Sequence, residues 1–347
     1  MNSIDLPERI NSEEILDDVL SRPSDALIES LRRLDGDIAV LGVGGKMGPT
    51  LAYLLKRAND AAGVARDIFA VSRFSNNDVR DQLESNGIRT LSADLLESEQ
   101  LKTVPKVRNV IYLVGMKFGS TGNQDLTWAM NTYLPGMVAQ HFAGSRIVAL
   151  STGNVYPLVP VTAGGSREDD ATGPVGEYAQ SCLGRERIFS YWTARTGSPL
   201  CLIRLNYAAE LRYGVLMDVG QQVYDRQPVD VTMGHFNCVW QGYANEVIIR
   251  SLEIAEQPAR VLNLTGPETV SVRRLARRFA QRFGVEEEIV GTEAETALLN
   301  DASVCYRLFG YPSVGLETLI EWCSAWIEQG GPTLKKPTHF QTRDGRF

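Results

Sequence analysis

The chain has 347 residues, of which 44% are hydrophobic and 22% charged, and its formal net charge is −7. These values are typical of a globular protein with a sizeable core, and the acidic balance argues against nucleic acid or an anionic membrane as the main partner. Five scattered cysteines without a C-x-x-C pair and three widely spaced histidines predict neither a disulfide framework nor a metal site. Because no apolar run reaches about 18 residues and the N-terminal residues lack signal-peptide features, we expect a cytoplasmic protein.

The residues that precede the first strand have a helical pattern. Ser24 can cap a helix whose apolar positions, among them Leu27 and Leu31, follow helical spacing. We therefore predict an N-terminal helical arm over residues 1–36, packed on the domain or on a partner subunit.

A glycine-rich stretch follows the arm, reading I-A-V-L-G-V-G-G-K-M-G-P-T-L-A over residues 38–52. A short apolar strand ends at Gly42, and Gly45 and Gly48 follow at intervals of three, with Gly44 between the first two. Glycines permit a tight turn and a close approach to a ligand, and the next helix directs its unpaired N–H groups towards a phosphate. The stretch therefore predicts the pyrophosphate site of a dinucleotide.

Strand-like and helix-like segments then alternate. Further strands are predicted at 67–73, 91–94, 109–115, 146–150 and 199–205, with helices at 126–142 and 177–196. This alternation predicts an α/β fold, a Rossmann-like doubly wound parallel sheet with a ligand at the carboxyl ends of its strands. The pattern loosens beyond residue 206, where we place a smaller C-terminal substrate-binding domain. We assign 37–205 to the dinucleotide-binding domain, to which 236–258 return, 206–235 and 259–331 to the substrate-binding domain, and 332–347 to a C-terminal tail.

The end of the second strand bears on the choice of cofactor. Enzymes that use NAD usually place an acidic residue about 20 positions after the glycines, whereas this strand ends in Ser72-Arg73. Arginine can donate two hydrogen bonds to a 2′-phosphate, so we predict NADP rather than NAD; the alternative is that Arg73 faces water beside the adenine. Asp94, after the third strand, is expected near the adenine amino group.

Several later segments resemble one family, the extended short-chain dehydrogenases/reductases, also called the NAD-dependent epimerase/dehydratase family. The resemblance covers roughly residues 37–330 and adds to the glycines the stretches V-I-Y-L-V-G-M-K at 110–117, S-T-G-N-V-Y at 151–156, R-L-N at 204–206, L-N-L-T-G-P-E-T-V-S-V at 262–272 and F-G-Y-P at 309–312. It implies hydride transfer at a sugar or alcohol carbon, and dimerisation through helices that flank the sheet.

The resemblance also implies roles for residues around Tyr178. Thr152 and Tyr178 match the family's hydrogen-bonding threonine and its catalytic tyrosine, but the lysine expected four residues after the tyrosine is Cys182. A tyrosine with its ordinary pKa of about 10 needs a nearby cation to act as a base near neutral pH. We keep three hypotheses: Lys117 supplies the cation, the chain binds NADP without turnover, or Cys182 is itself a nucleophilic or redox-sensitive thiol.

Two further departures from the family bear on the substrate. Gly153 and Asn154 replace the acidic pair of the sugar-nucleotide dehydratases, and His235 stands where the family's diphosphate-binding arginine is expected. We therefore predict an NADP(H)-binding oxidoreductase or epimerase-like enzyme acting on a free sugar, a sugar acid or another small hydroxyl or carbonyl compound. The alternative is a non-catalytic NADP-binding protein, a redox sensor or an assembly partner.

The remaining predicted contacts follow from the motifs. The predicted substrate contacts are Thr152, Gly153, Asn154, Asn206, Tyr207 and His235. The predicted cofactor contacts are Gly42, Gly44, Gly45, Lys46, Met47, Gly48, Ser72, Arg73, Asp94, Leu95, Val114, Gly115, Lys117, Asn131 and Tyr178.

Overall fold

The computed structural model describes residues 6–75, 77–117, 119 and 122–346; residues 1–5 of the predicted arm and residue 347 of the predicted tail lie outside the described residues. The α-helices are α1 Glu13–Leu20, α2 Asp25–Arg33, α3 Gly48–Ala62, α4 Asn77–Ser85, α5 Ser98–Leu101, α6 Gln124–Trp128, α7 Leu134–His141, α8 Gly176–Thr196, α9 Val215–Tyr224, α10 Gln241–Arg250, α11 Val272–Phe283, α12 Ser303–Phe309 and α13 Leu316–Glu328. None of the described helices combines the length and apolar character that crossing a membrane requires.

Seven described strands form one parallel sheet. They are β1 Ile38–Leu41, β2 Ile68–Ser72, β3 Arg89–Ser92, β4 Asn109–Tyr112, β5 Arg146–Thr152, β6 Leu200–Leu205 and β7 Arg260–Leu264. Their order across the sheet is β7-β6-β5-β4-β1-β2-β3, so the chain reverses its direction of winding between β1 and β4. The predicted fold class is confirmed, and the crevice at this reversal is where such sheets bind ligands.

The first strand explains why both faces of the sheet are covered. Consecutive strand residues point to opposite faces, and all four residues of β1 are apolar and buried. Ile38 and Val40 belong to one hydrophobic core, whereas Ala39 and Leu41 belong to a second core. Helices therefore pack on both sides and leave the strand ends as the open edge.

The N-terminal arm packs on the domain. Ser24 caps α2 by accepting a hydrogen bond from the N–H of Leu27 at 3.1 Å. Leu27 and Leu31 are fully buried in the first core, and α2 contacts α3 and α10. Of the two locations expected for the arm, the described residues occupy the one on the domain.

The C-terminal half forms a second cluster of helices, in which α9, α11 and α13 pack together. Helix α10 instead lies on α3, where Gln241 and Asn245 both donate to the Thr50 hydroxyl at 3.1 Å. The domain boundary predicted at residue 259 needs a correction, because β7 pairs with β6 and forms an edge of the central sheet. The division into two domains otherwise stays a prediction.

Candidate active site

The glycine-rich turn joins β1 to α3, and two of its positions leave no room for a side chain. Gly42 has a φ of +85°, and a Cβ there would lie 2.9 Å from the backbone N of Val114. A Cβ on Gly48 would lie 2.0 Å from the carbonyl O of Val43. Because the turn is this tight, α3 begins close to the open edge of the sheet, where its first N–H groups have no partner within the helix.

A cavity of about 630 Å³ lies at this edge, a size suited to a ligand as large as a dinucleotide. It joins the turn to the ends of β4, β5 and β6 and to the start of α8. The predicted site residues that line it are Gly42, Gly45, Lys46, Met47, Gly48, Gly115, Lys117, Thr152, Asn154, Tyr178, Asn206 and Tyr207. It is also lined by Leu113, Leu150, Ser151, Arg185, Leu205, Ala208, Tyr213, Gln241, Lys335, Lys336, Pro337 and His339, which were not predicted.

The other predicted cofactor residues stand outside this cavity. A Cβ on Gly44 would lie 2.6 Å from the Ser72 hydroxyl, so Ser72 closes on the turn from the end of β2. The Arg73 side chain is 69% exposed, and its Nη1 lies 3.9 Å from a carboxylate oxygen of Asp94. Leu95 is buried in the core, and Val114 packs against Gly42.

Tyr178 and Thr152 meet at the floor of the cavity. Burial raises the pKa of the Tyr178 hydroxyl above its usual range, and Cys182 acts in the same direction. The positive charge of Arg185 and a hydrogen bond with Thr152 act against this rise. Thr152 also accepts a hydrogen bond from the side-chain amide of Asn154 at 3.0 Å. The predicted pair is therefore together, in surroundings that leave the isolated tyrosine protonated.

Cys182 lies one helical turn beyond Tyr178, beneath it rather than in the cavity. It is fully buried against Val155 and Tyr156, and burial raises the pKa of its thiol. A buried, protonated thiol is a poor nucleophile and a poor target for oxidants, so these surroundings favour a space-filling residue over the third hypothesis.

Arg185, one turn beyond Cys182 on the same face of α8, carries the charge at the back of the cavity. Its guanidinium donates to the backbone carbonyl of Leu150 and to the side-chain oxygen of Asn131, both at 2.7 Å. Arg185 is 4% exposed, and these hydrogen bonds go to neutral oxygens. A Cβ on Gly115 would lie 2.6 Å from its Nη2, so the glycine at the end of β4 makes room for this side chain.

Asn131 is held for this contact by an irregular turn. The segment Ala129–Tyr133 between α6 and α7 is π-helical, and Asn131 within it is fully buried. Its amide exchanges hydrogen bonds with the backbone N–H and carbonyl of Met116 at 2.8 and 2.9 Å. Single π-helical turns are frequent at functional sites, because the extra residue redirects a side chain. Here the redirected side chain ties the end of β4 to Arg185.

Lys117 is a second cation beside Tyr178. Its Nζ lies 5.9 Å from the centre of the Tyr178 ring and 5.8 Å from that of Tyr207. Burial lowers the pKa of Lys117 to about 8, so its charge titrates close to neutral pH. The first hypothesis, that Lys117 supplies a cation, stays a prediction that this proximity favours.

The predicted substrate residues separate into two groups. Asn154, Tyr207 and Thr152 line the cavity, as does Asn206, although the Asn206 amide already donates to the Asn237 side chain at 2.8 Å. Gly153 and His235 are not among the lining residues. A Cβ on Gly153 would lie 2.9 Å from the Asn300 amide, so that position needs a glycine for packing, and His235 lies in a short strand.

No protein-family model matches the chain, and no curated protein sequence matches it. Solved structures do. UDP-glucuronic acid 4-epimerase from Bacillus cereus in complex with NAD is 16% identical, with a TM-score of 0.69 over 84% of this chain and 99% of that chain. UDP-glucose 4-epimerase from Thermus thermophilus, also in complex with NAD, gives the same values. The Bordetella bronchiseptica enzyme WbmG in complex with NAD and UDP is 17% identical, with a TM-score of 0.68 over 88% and 98%.

The chain has the fold of these enzymes. The extended short-chain dehydrogenase resemblance is thereby confirmed for the fold, since identities of this size carry fold and no more.

The prediction of NADP is wrong. The similar structures named above were solved with NAD. In this chain the residue that favoured a 2′-phosphate, Arg73, projects into solvent and lies beside Asp94, whose carboxylate would repel such a phosphate. The type of residue at the end of β2 suggested NADP, but its charged neighbour reverses that preference.

Proposed function

We propose that this chain is an NAD-dependent, epimerase-like oxidoreductase that acts on the hydroxyl or carbonyl group of a sugar or a similar small molecule. The observation that carries the proposal is the convergence of Tyr178 and Thr152 with the glycine turn and a buried cation in one cavity. A tyrosine, a hydroxyl partner and a cation suit proton transfer at a carbinol oxygen.

The cavity suits NAD in shape and charge. The tight glycine turn and the start of α3 offer backbone N–H groups to the diphosphate, and Ser72 beside Gly44 can meet a neutral 2′-hydroxyl. Lys46, Lys117 and Arg185 add positive charge along the cavity. NAD would supply the hydride acceptor; the protein's part is to hold it and to move the proton.

Arg185 is proposed to replace the lysine that Cys182 displaces. It lies seven residues after Tyr178, two helical turns along the same face, and its charge lowers the pKa of the Tyr178 hydroxyl against the effect of burial. Its hydrogen bonds to Leu150 and Asn131 fix the guanidinium without neutralising it. The Lys117 ammonium lies 5.9 Å from the centre of the same tyrosine ring, so two cations are available where the family has one lysine.

In the proposed mechanism Tyr178 removes the hydroxyl proton while Thr152 hydrogen-bonds the same oxygen. The positive charge of Arg185 stabilises the tyrosinate that must form, and burial strengthens this interaction by excluding water. Asn154 holds Thr152 in place through its amide. In an epimerase the same proton would be returned from Tyr178 to the substrate oxygen in the reverse step.

The direct test is reduction of bound NAD by candidate substrates at equal concentrations of protein and cofactor. Nucleotide-linked sugars, free sugars and sugar acids are added in turn, and the absorbance of reduced nicotinamide is followed. We expect at least one of these to reduce the cofactor. Tight NAD binding with no reduction by any of them would instead support the non-catalytic binding protein.

The affinity for NAD is expected to fall as pH rises. Burial, together with the charges of Lys117 and Lys336, lowers the pKa of Lys46 to about 7, while Asp218 acts in the opposite direction. A bound diphosphate favours the charged lysine, so binding takes up a proton at and above this pH. The dissociation constant should increase about tenfold between about pH 6 and about pH 9, as isothermal titration calorimetry would measure.

Calorimetry in two buffers of different ionisation enthalpy should show that the protein takes up a proton when NAD binds. No uptake is expected when adenosine binds, because adenosine has no phosphate. The stability of the cofactor-free protein should change in the opposite direction. An unfolded lysine has a pKa of about 10.4, so the unfolded chain binds more protons above about pH 7 and stability rises with pH there. A pH-independent NAD affinity would contradict this use of Lys46.

A further inference from the structure

The C-terminal tail, residues 332–346, contributes Lys335, Lys336, Pro337 and His339 to the lining of the cavity and is anchored beside it. Thr338 is 1% exposed, and both its N–H and its hydroxyl donate to one carboxylate oxygen of Asp218, at 2.7 and 2.5 Å. Phe340 is buried in the first core, with its ring 6.0 Å from that of Phe236. Thr338 and Phe340, two positions apart, thus fix the path of the polar tail.

Further anchors carry the tail to the start of α8. The Arg343 guanidinium donates to the backbone carbonyl of Thr296 at 2.7 Å and to its hydroxyl at 2.6 Å. At Gly345 the tail touches Gly176, where a Cβ would lie 2.5 Å from the Gly345 carbonyl oxygen. Gly176 is the first residue of the helix that carries Tyr178. The tail therefore connects the second helix cluster to the catalytic helix.

The residues next to the buried anchors face the cavity. Lys335, Lys336 and His339 are exposed and line it, while the Lys117 ammonium donates to the backbone carbonyl of Thr338 at 3.3 Å. The described lining therefore holds four lysines and an arginine but no aspartate or glutamate. This excess of positive charge is a property of an anion site, because a cavity without an anionic ligand leaves the cations to repel one another.

We propose that Lys335 and Lys336 bind the diphosphate of the dinucleotide, so that the C-terminal tail completes the cofactor site. The proposal rests on the NAD binding proposed above and adds a part of the chain that lies far from the glycine turn in sequence. The tail would add its lysines to the cavity that the glycine turn and the start of α3 also line.

The position of Lys336 selects the diphosphate among the cofactor's groups. Lys336 lies close enough to Lys46, in the glycine turn, for the two charges to repel each other. Lys46 itself is held over the Tyr213 ring, with Nζ 3.3 Å from the ring centre. A ligand phosphate at the start of α3 would therefore lie near both lysines. Lys335 and Lys336 are exposed, so each can reach an anion through its flexible four-carbon stem.

The experiment compares the double variant Lys335→Gln/Lys336→Gln with the wild-type chain by calorimetric titration of NAD, ADP-ribose and adenosine. We expect the dissociation constants of NAD and ADP-ribose, which both contain the diphosphate, to rise about tenfold, and that of adenosine to stay unchanged. The control Lys102→Gln/Lys106→Gln removes two exposed lysines elsewhere and the same net charge, and should bind all three as the wild type does. Lys335→Arg/Lys336→Arg should retain the affinity.

Three results would overturn the proposal. Unchanged NAD affinity in the double glutamine variant would show that the tail lysines do not contact the diphosphate, while the proposed NAD binding would stand. Equal weakening of adenosine would show that the substitutions disturb the cavity rather than a phosphate contact. A wild-type chain that binds neither NAD nor ADP-ribose would overturn the proposed function together with the role of the tail.

Discussion

Replacement of Tyr178 by phenylalanine is expected to lower kcat about a thousandfold and to leave the dissociation constant of NAD within about threefold of the wild-type value. The variant removes one hydroxyl from the floor of the cavity and keeps the ring that packs against Cys182 and Lys117. In the proposed mechanism the oxygen of this group accepts the substrate proton, so its loss is expected to affect the chemical step and not the groups proposed to hold NAD. Steady-state kinetics with a substrate found by NAD reduction, together with NAD titration, measure both quantities.

Tyr191→Phe is the matched control for this prediction. Tyr191 lies on the same helix, is 54% exposed as a residue, and stands outside the cavity, so turnover should be unaffected. If Tyr178→Phe retained more than about a tenth of wild-type turnover, the tyrosine mechanism would be wrong, and the proton would have to pass through another group at the cavity.

The fold and the location of the site follow from simple patterns. A buried apolar strand, a glycine turn and a helix recur in an order that only a parallel sheet with helices on both faces accommodates. Parallel strands end at one edge, so segments from 42 to 207 that are distant in sequence could be predicted to meet there. The helix cap at Ser24 followed in the same way from residue type and position.

Other features depend on neighbours that the linear pattern does not contain. Arg73 alone favours a 2′-phosphate, and the sequence predicts Asp94 near the adenine but not its contact with Arg73, which changes the local charge. The π-helical turn at Ala129–Tyr133 lies within what the sequence predicts as one continuous helix over residues 126–142. The sequence pattern does not reveal this turn, because a single i→i+5 turn leaves the apolar periodicity nearly unchanged. Strand β7 follows a stretch of irregular pattern, which hides its return to the sheet.

The two unpredicted groups of cations differ in how far the sequence could have revealed them. Arg185 lies on the face of α8 that carries Tyr178, and helical spacing from the tyrosine would have found it. The tail lysines have no such signal, since residues 332–346 are polar and lack a helical or strand period. Their position depends on two buried neighbours, Thr338, which donates to the Asp218 carboxylate, and Phe340, whose ring lies beside that of Phe236.

Replacement of Arg185 by methionine is expected to lower kcat about a hundredfold and to move the rising limb of the pH–rate profile to higher pH. The guanidinium favours the ionised form of Tyr178, so its removal raises the pKa of the hydroxyl and leaves less tyrosinate at any given pH. The smaller population of the ionised base is expected to appear as the fall in kcat. The profile is measured as kcat/KM against pH.

A purely structural role for Arg185 would also lower activity, because its loss leaves the Leu150 carbonyl and the Asn131 side chain without this donor. A second substitution separates the two roles. Position 182 lies on the same face of α8 one turn nearer to Tyr178, so Cys182→Lys in the Arg185→Met background returns a cation to the tyrosine without restoring those hydrogen bonds. Recovery of turnover and of the original pH–rate limb by this double variant identifies charge as the function of Arg185. An unshifted profile in Arg185→Met would instead leave Lys117 as the cation on which Tyr178 depends.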